Sequence, residues 1–521
     1  MRGAIAAGHR LTAEAGARVL AEGGNAVDAC IAAGFASWVA ESPLTGPGGG
    51  GFMLVHRARD RTTRVLDFFV AVPGLGLKRP RRGEMDAVDV VFTADSTQVF
   101  RIGGASCAVP GTAAGMEAAW RSFGRLPWRE LARPAIELAR NGLELTRQQA
   151  YLHAILDLIL RAQEEGRAMY GRDGRLVAGD WLVMSDLADA IEQLAEQGAA
   201  ALYRGDLARA VIQHVRACGG CITARDLREY AVIRRRPVTA AYRGHEFLSN
   251  PPPSSGGLLI GYGLKLLDRL GGDAPAGSTE AIAALAAVMA EQARARMSEG
   301  FTPALYRSGL ARRLYSRPSI GRALKRIAAH QPALSETAPR GTTHISVVDE
   351  RGNAAAMTAS TGSGSGVIVP GTGIHLNNML GEFDLPQATR PGERLSSMTS
   401  PSLVLRDGHP RLVVGSAGSL RLRGAILQVI VNVVGHDMRV REAIERPRVH
   451  LEGLQLHLEG GHDPRTINAL EAAGHEVVRW RRKNLYFGGV AGVEVGENGQ
   501  LAAAGDSRRG GRGIVVRRAG S

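Results

Sequence analysis

The residues with the clearest chemical potential are Gly341-Thr342-Thr343-His344, a small residue followed by two hydroxyls at the head of an alternating run that ends at Asp349. If the Thr342 hydroxyl attacks the carbonyl carbon of Gly341, an N-to-O acyl shift leaves an ester. Water can then cleave that ester and free Thr342 as a new chain terminus. The α-amino group so released has an unperturbed pKa of about 8 and is a base tethered to the nucleophile itself. Neither a histidine nor an aspartate is needed to activate it. Read alone, a Thr-Thr pair at a strand edge is weak evidence, since β propensity accounts for most such pairs.

Other motifs are weaker. Gly46, Gly48 and Gly51 satisfy GxGxxG, but the apolar run Phe52-Met-Leu-Val55 follows the loop, whereas a dinucleotide site needs the strand first and a helix after. The glycines fit close backbone packing better. Cysteines number four, and Cys218-Gly-Gly-Cys221 has no second ligand pair nearby, so reduced thiols are expected and neither zinc nor a disulfide framework.

The formal charge is +14, yet of the 64 basic residues only Lys78, Lys265, Lys325 and Lys483 are lysines, and the arginines are spread among acidic neighbours. The densest stretch, 307–326, offers Tyr306 and Tyr315 as its stacking residues, which reads as a solvated basic face and not as a nucleic-acid site. Residues 1–10 lack a basic segment followed by an apolar run, and the longest apolar stretch, 425–434, is interrupted by Gln428 and Asn432. A soluble, cytoplasmic protein without a membrane partner is expected.

The elements that must position Thr342 follow from the pattern. Thr12 is read as the cap of a helix running to about Glu22, and 26–40 as a second, small-residue helix. Helical periodicity covers 110–142, 185–217 and 258–298, with Pro251-Pro-Pro-Ser-Ser-Gly-Gly257 as a break. Residues 301–341 are basic and, toward Pro339-Arg-Gly341, poor in structure formers, so a loosely held segment is expected before the junction. Beyond it, 344–349 with 354–358, and 402–405 with 412–415, are hairpins around Glu350–Asn353 and Asp407-Gly408. A buried helix follows at 420–434. Hairpin sheets between helical layers result.

The stretch Thr342-Thr-His-Ile-Ser-Val-Val-Asp349 closely resembles the start of the small subunit of γ-glutamyltransferases. Gly23–Ala29, Gly48–Val55, Val109–Thr112, Pro251–Gly257, Leu376–Asn378, Leu395–Met398 and Asp506–Gly511 resemble that family in the same order, so the likeness covers essentially the whole chain. It implies a four-layer αββα N-terminal-nucleophile hydrolase. A large subunit, 1–341, and a small subunit, 342–521, would be cut from one precursor at Gly341-Thr342 and remain associated. It also implies Thr342 as nucleophile, backbone N–H groups of Gly418 and Ser419 as oxyanion donors, Ser360 as an assisting hydroxyl, and Ser396 and Ser397 at the substrate carboxylate. No metal or organic cofactor is implied. The reactants are a small amide or γ-glutamyl substrate and water or an amine acceptor.

The departures concern recognition. Where the family carries an arginine for the substrate carboxylate, this chain has Phe69, which cannot imitate a bidentate guanidinium. A family glutamine becomes Met379, an aspartate becomes Glu382, and only ten residues separate Asp384 from Leu395, too few for a long lid. Two enzymatic expectations follow: a γ-glutamyl hydrolase or transferase, and an acylase for a more apolar acyl group with Phe69 and Met379 in its pocket. Core packing is the alternative for both side chains, and an uncleaved, non-catalytic relative is the third reading of the chain.

Overall fold

Alternation along the strands decides the layers. In Thr343–Asp349, Ile345 and Val347 enter a core shared with helices, while Val348 points the opposite way. Ala354–Ser360 divides likewise, with Ala355 and Met357 on the helical side and Ala354 and Ala356 on the other, and so does Gly50–Arg57, with Met53 and Val55 against Phe52 and Leu54. The computed structural model describes residues 1–93, 96–271, 274–298, 309–329, 341–382, 389–418 and 421–518.

Seven strands form the first sheet, in the order Arg512–Val516, Gly3–Ala7, Thr343–Asp349, Ala354–Ser360, Gly50–Arg57, Thr62–Phe68 and Ile233–Arg235, every pair antiparallel. The second sheet runs Leu501–Gly505, Gly489–Val495, His409–Ala417, Ser402–Arg406, His245–Ser249 and Val238–Tyr242, also antiparallel. Their inner faces share one apolar core, in which Phe52, Phe69 and Val348 meet Leu403, Val413 and Val493. Helices Arg10–Ala21 and Ala26–Ala40 cover the first sheet, and Gly256–Leu270 and Arg421–Ile430 the second. This is a four-layer αββα sandwich. Residues before and after the 341–342 junction supply strands to both sheets, so neither half has a core of its own.

Local sequence explains the details. Ala26–Ala40 is buried along its whole length, which its small residues permit, and Asn25 with Asp28 forms a capping box at its start. Arg10–Ala21 is capped by His9, whose Nδ1 accepts from Leu11 N; Thr12, expected as the cap, lies inside the helix and donates to Glu41 instead. The glycine loop precedes its strand, and a Cβ at Gly48 or Gly51 would stand 2.3 Å from a backbone carbonyl oxygen, of His375 and Thr358 respectively.

The loosely held stretch needs correction in part. Leu310–Leu314 and Arg317–Ala328 are helices that bury Leu310, Leu314, Ile320 and Ala323 against the second sheet's helical layer. Their arginines mask an apolar stripe. The remainder of that stretch, 301–308 and 330–340, lies outside the described residues.

Candidate active site

Thr342 stands immediately before the Thr343–Asp349 strand, nearly inaccessible, with its hydroxyl donating to the Gly341 carbonyl oxygen at 2.8 Å. Ser360 closes the neighbouring strand, and its hydroxyl donates to the same oxygen. The Gly362 N–H donates to Ser360 Oγ at 2.8 Å, which leaves the Ser360 proton for Gly341, while Gly341 N–H donates to Gly362 O at 3.1 Å. Gly341 is thus held at both its N–H and its C=O by residues 360–362. Two hydroxyls converge on the oxygen that would carry negative charge if the junction were attacked.

On the other side of the Thr343–Asp349 strand, Thr343 Oγ donates to Glu41 Oε2 at 2.5 Å, and Thr12 Oγ to Glu41 Oε1 at 2.8 Å. Burial raises the Glu41 carboxyl, opposed by the hydroxyls of Thr343 and Thr12 and by the Arg509 charge. Arg509 shares a cavity of about 40 Å³ with Glu41 and Leu44, and burial pulls its guanidinium down to about 10. Its neighbour Arg508 is committed to Asp506 and Glu459. His344, the next residue along the strand, is held between Thr358 and Ser346 hydroxyls and is pushed by burial down to about 3, so it is a neutral structural side chain.

Gly418 follows the His409–Ala417 strand with φ +121, and a Cβ there would lie 2.8 Å from Gly488 Cα and 3.7 Å from Arg509 Nη2. Gly415, on the same strand, packs against the His344 ring. These contacts bring Gly418 to the same edge of the sandwich as Thr342. Ser419 lies outside the described residues.

The recognition residues divide. Ser396 is buried, and its Oγ has no hydrogen-bond partner among the described residues. Ser397 Oγ accepts from Thr399 N at 3.1 Å and pairs with Thr399 Oγ at 2.9 Å, so its hydroxyl is spent on its own turn. Its carbonyl meanwhile accepts from Ser255 N at 2.9 Å, which is what the Pro251–Gly257 segment contributes. Glu382 is buried, with Oε1 2.9 Å from where a Cβ on Gly362, the residue that accepts from Gly341 N–H, would stand.

For Phe69 and Met379 the structure shows the packing that was the alternative to a pocket. Phe69 is 1% exposed, stacks on Phe52 with ring centroids 5.5 Å apart, and belongs with Met379 to the core between the sheets. Burying an aromatic ring this way contributes about 1.5–3 kcal/mol, so packing accounts for both residues. The nearby Arg394 does not substitute for the missing guanidinium: it stacks on Tyr230 at 4.3 Å, lies 3.4 Å from Asp67, and donates to Ala231 O.

Glu41, Gly362 and Arg509 are functional candidates that the sequence reading missed. A signal existed for Glu41, an acid following a helix whose one charged residue is Asp28 of its capping box. Arg509 lies within the recognised Asp506–Gly511 block, but nothing in its type distinguishes it from Arg508. Among the described residues no group of three or more His, Cys, Asp or Glu could hold a metal ion, and no helix is long and apolar enough to cross a membrane.

Comparison with known proteins identifies the family of the chain. The γ-glutamyltranspeptidase family model matches residues 12–516. The glutathione hydrolase proenzyme of Escherichia coli (strain K12) is 32% identical over 97% of this chain and 90% of its own, and the acylase ACY 1 proenzyme of Pseudomonas sp. (strain SE83) is 34% identical over 99% and 94%. Among solved structures, a cephalosporin acylase from Bacillus halodurans shares the fold with a TM-score of 0.83 at 23% identity, covering 98% of this chain and 95% of that one. Helicobacter pylori γ-glutamyltranspeptidase gives 0.52 at 32% identity over 62% and 90%. The chain belongs to the γ-glutamyltranspeptidase family.

Proposed function

We propose that this chain is an autoprocessing N-terminal-threonine amidohydrolase or acyltransferase that cleaves γ-glutamyl or related amide bonds through an acyl-enzyme on Thr342. The observation that carries the reading is the convergence of the Thr342 and Ser360 hydroxyls on the Gly341 carbonyl oxygen, with Gly341 clamped by Gly362. Cleavage there leaves 1–341 as the large and 342–521 as the small subunit, held together by the strands they share.

In turnover, the freed α-amine takes the Thr342 hydroxyl proton as the oxygen attacks the substrate carbonyl. The family resemblance assigns the oxyanion to the Gly418 and Ser419 N–H groups, each such donor being worth about 3–4 kcal/mol in the transition state. Collapse of the intermediate expels the amine, which takes the proton back, and water or an acceptor amine then removes the acyl group. Ser396 offers a free hydroxyl and Glu382 a carboxylate to the substrate.

An acylase with a non-glutamyl acyl group is the second reading, favoured by Phe69 standing where a guanidinium would hold a carboxylate and by the likeness to the acylase ACY 1 proenzyme. Turnover of matched anilides, γ-glutamyl against unbranched acyl chains of similar length, separates the two. A γ-glutamyl preference of tenfold or more in kcat/KM selects the first reading, and an equal preference for plain acyl chains selects the second. Absence of turnover on every amide would contradict both.

A further inference from the structure

Cutting the chain at Gly341 converts Thr342 from an internal residue, clamped through its neighbour, into a terminus. Chain termini fray unless something ties them down. The ladder to the Ala354–Ser360 strand reaches Thr343, opposite Ala359. On the other side, pairing with Gly3–Ala7 stops at Ile345, opposite Ala7, two residues short of Thr343. Gly8, the next residue, does not continue that ladder. A Cβ there would stand 2.5 Å from Glu41 Oε2 and 3.1 Å from Thr343 Oγ, so the carboxylate occupies the space where the ladder ends.

Local physics opposes an acid at this position. Glu41 is the C-cap of Ala26–Ala40, the negative end of a helix dipole, and is 7% exposed. Both of its oxygens are nevertheless occupied, one by the hydroxyl beside the nucleophile and the other by Thr12 of the Arg10–Ala21 helix. Its other charged neighbour is Arg509, whose Nε has no hydrogen-bond partner among the described residues and whose charge supports the carboxylate across the cavity. The neutral His9 and His153 complete the walls.

We propose that Glu41 is a positioning residue that holds the newly cut small-subunit terminus in register through Thr343, replacing the strand pairing missing on that side. It touches neither substrate nor the reacting atoms. Its effect is on the fraction of time Thr342 spends aligned, and so on kcat more than on KM. This rests on the proposed cleavage at Thr342, and its test therefore includes a readout independent of turnover.

The experiment compares cleaved wild type with Glu41→Gln, Glu41→Asp and Thr343→Val, and with Thr343→Val combined with Glu41→Gln. Kinetics are measured on the best amide substrate, and hydrogen–deuterium exchange on the peptide beginning at Thr342. Expected are a kcat loss of tenfold or more for Glu41→Gln and Thr343→Val with KM within threefold, partial recovery in Glu41→Asp, and a double variant no worse than either single one. Exchange at 343–345 should quicken tenfold or more while other strands of the sheet stay unchanged. If Glu41→Gln destabilises the fold, Thr343→Val carries the same test from the strand side.

Unchanged exchange at 343–345 in both single variants, or additive losses in the double one, would overturn the proposal. Quickened exchange in an enzyme that is cleaved yet turns over no amide would uphold the positioning role and contradict the proposed function. A wild-type chain that never cleaves would overturn both.

Discussion

The two ends of the candidate site are built differently. At the cleavage edge, Gly341, Thr342, Ser360, Gly362, Thr343 and Glu41 form a connected set in which each described hydroxyl has a defined partner. At the recognition edge, Phe69 and Met379 have been taken into the core, the Ser397 hydroxyl is consumed by Thr399, and Ser396 keeps an unpartnered oxygen. Hydrogen bonds order the residues around the 341–342 junction, while apolar packing surrounds Phe69 and Met379. Chemistry and specificity can therefore change separately on one scaffold, as expected when function resides in a site carried by the fold.

The comparison can be broken at its strongest point first. Thr342→Ala should abolish self-cleavage and lower turnover by about 10⁴-fold or more, since removal of a nucleophile leaves only binding and oxyanion stabilisation. A cleaved, active Thr342→Ala protein would place the nucleophile elsewhere. At the other edge, Phe69→Arg should not restore carboxylate binding. It buries an unpaired charge beside Phe52, and the expected result is a loss of several kcal/mol in stability, visible as a large fall in Tm. A stable Phe69→Arg enzyme with improved γ-glutamyl kcat/KM would show that the ring lines the pocket after all.

Ser360→Ala removes one of two donors to the Gly341 oxygen, so self-cleavage should slow by about 10²-fold without stopping, followed by the rate of appearance of the two chains. Stability should also depend on pH through the buried imidazoles. His375 and His344 are held down at about 4 and about 3 by burial, against an ordinary value near 6.5 in the unfolded chain. Their folded-state pKa values are depressed, so this contribution is complete above about pH 6.5 and is lost as the pH falls toward 4 and 3. Tm should decline over that window, and a flat profile would contradict neutral burial. The smallest effect is expected from Ser396→Ala, a rise in KM of about fivefold with kcat retained, the worth of one neutral hydrogen bond.

How far the sequence could be read follows the same division. Alternation in 344–349 and 354–358 identified the central hairpin because each strand has one helix-facing and one sheet-facing side, and the short apolar run Phe52–Val55 placed the glycine loop before its strand. Thr342 stood out by residue type and position and Ser360 only through the family resemblance, and the structure brings both hydroxyls to the Gly341 carbonyl oxygen. Thr12 was misread as a cap because a Ser or Thr at a helix start looks the same whether it serves the backbone or a distant carboxylate. Phe69 was open between pocket and core because an apolar residue states its burial and not what it is buried against. Helices Leu310–Leu314 and Arg317–Ala328 were hidden by surface arginines. Glu41 was out of reach because its partner Thr343 is some 300 residues away in sequence.

The most direct test of the account is intact mass and amino-terminal sequencing of the purified protein after incubation. Two chains, the second beginning at Thr342, are predicted. A single persistent chain, or a new terminus anywhere else, would contradict the assignment of Thr342 as the nucleophile.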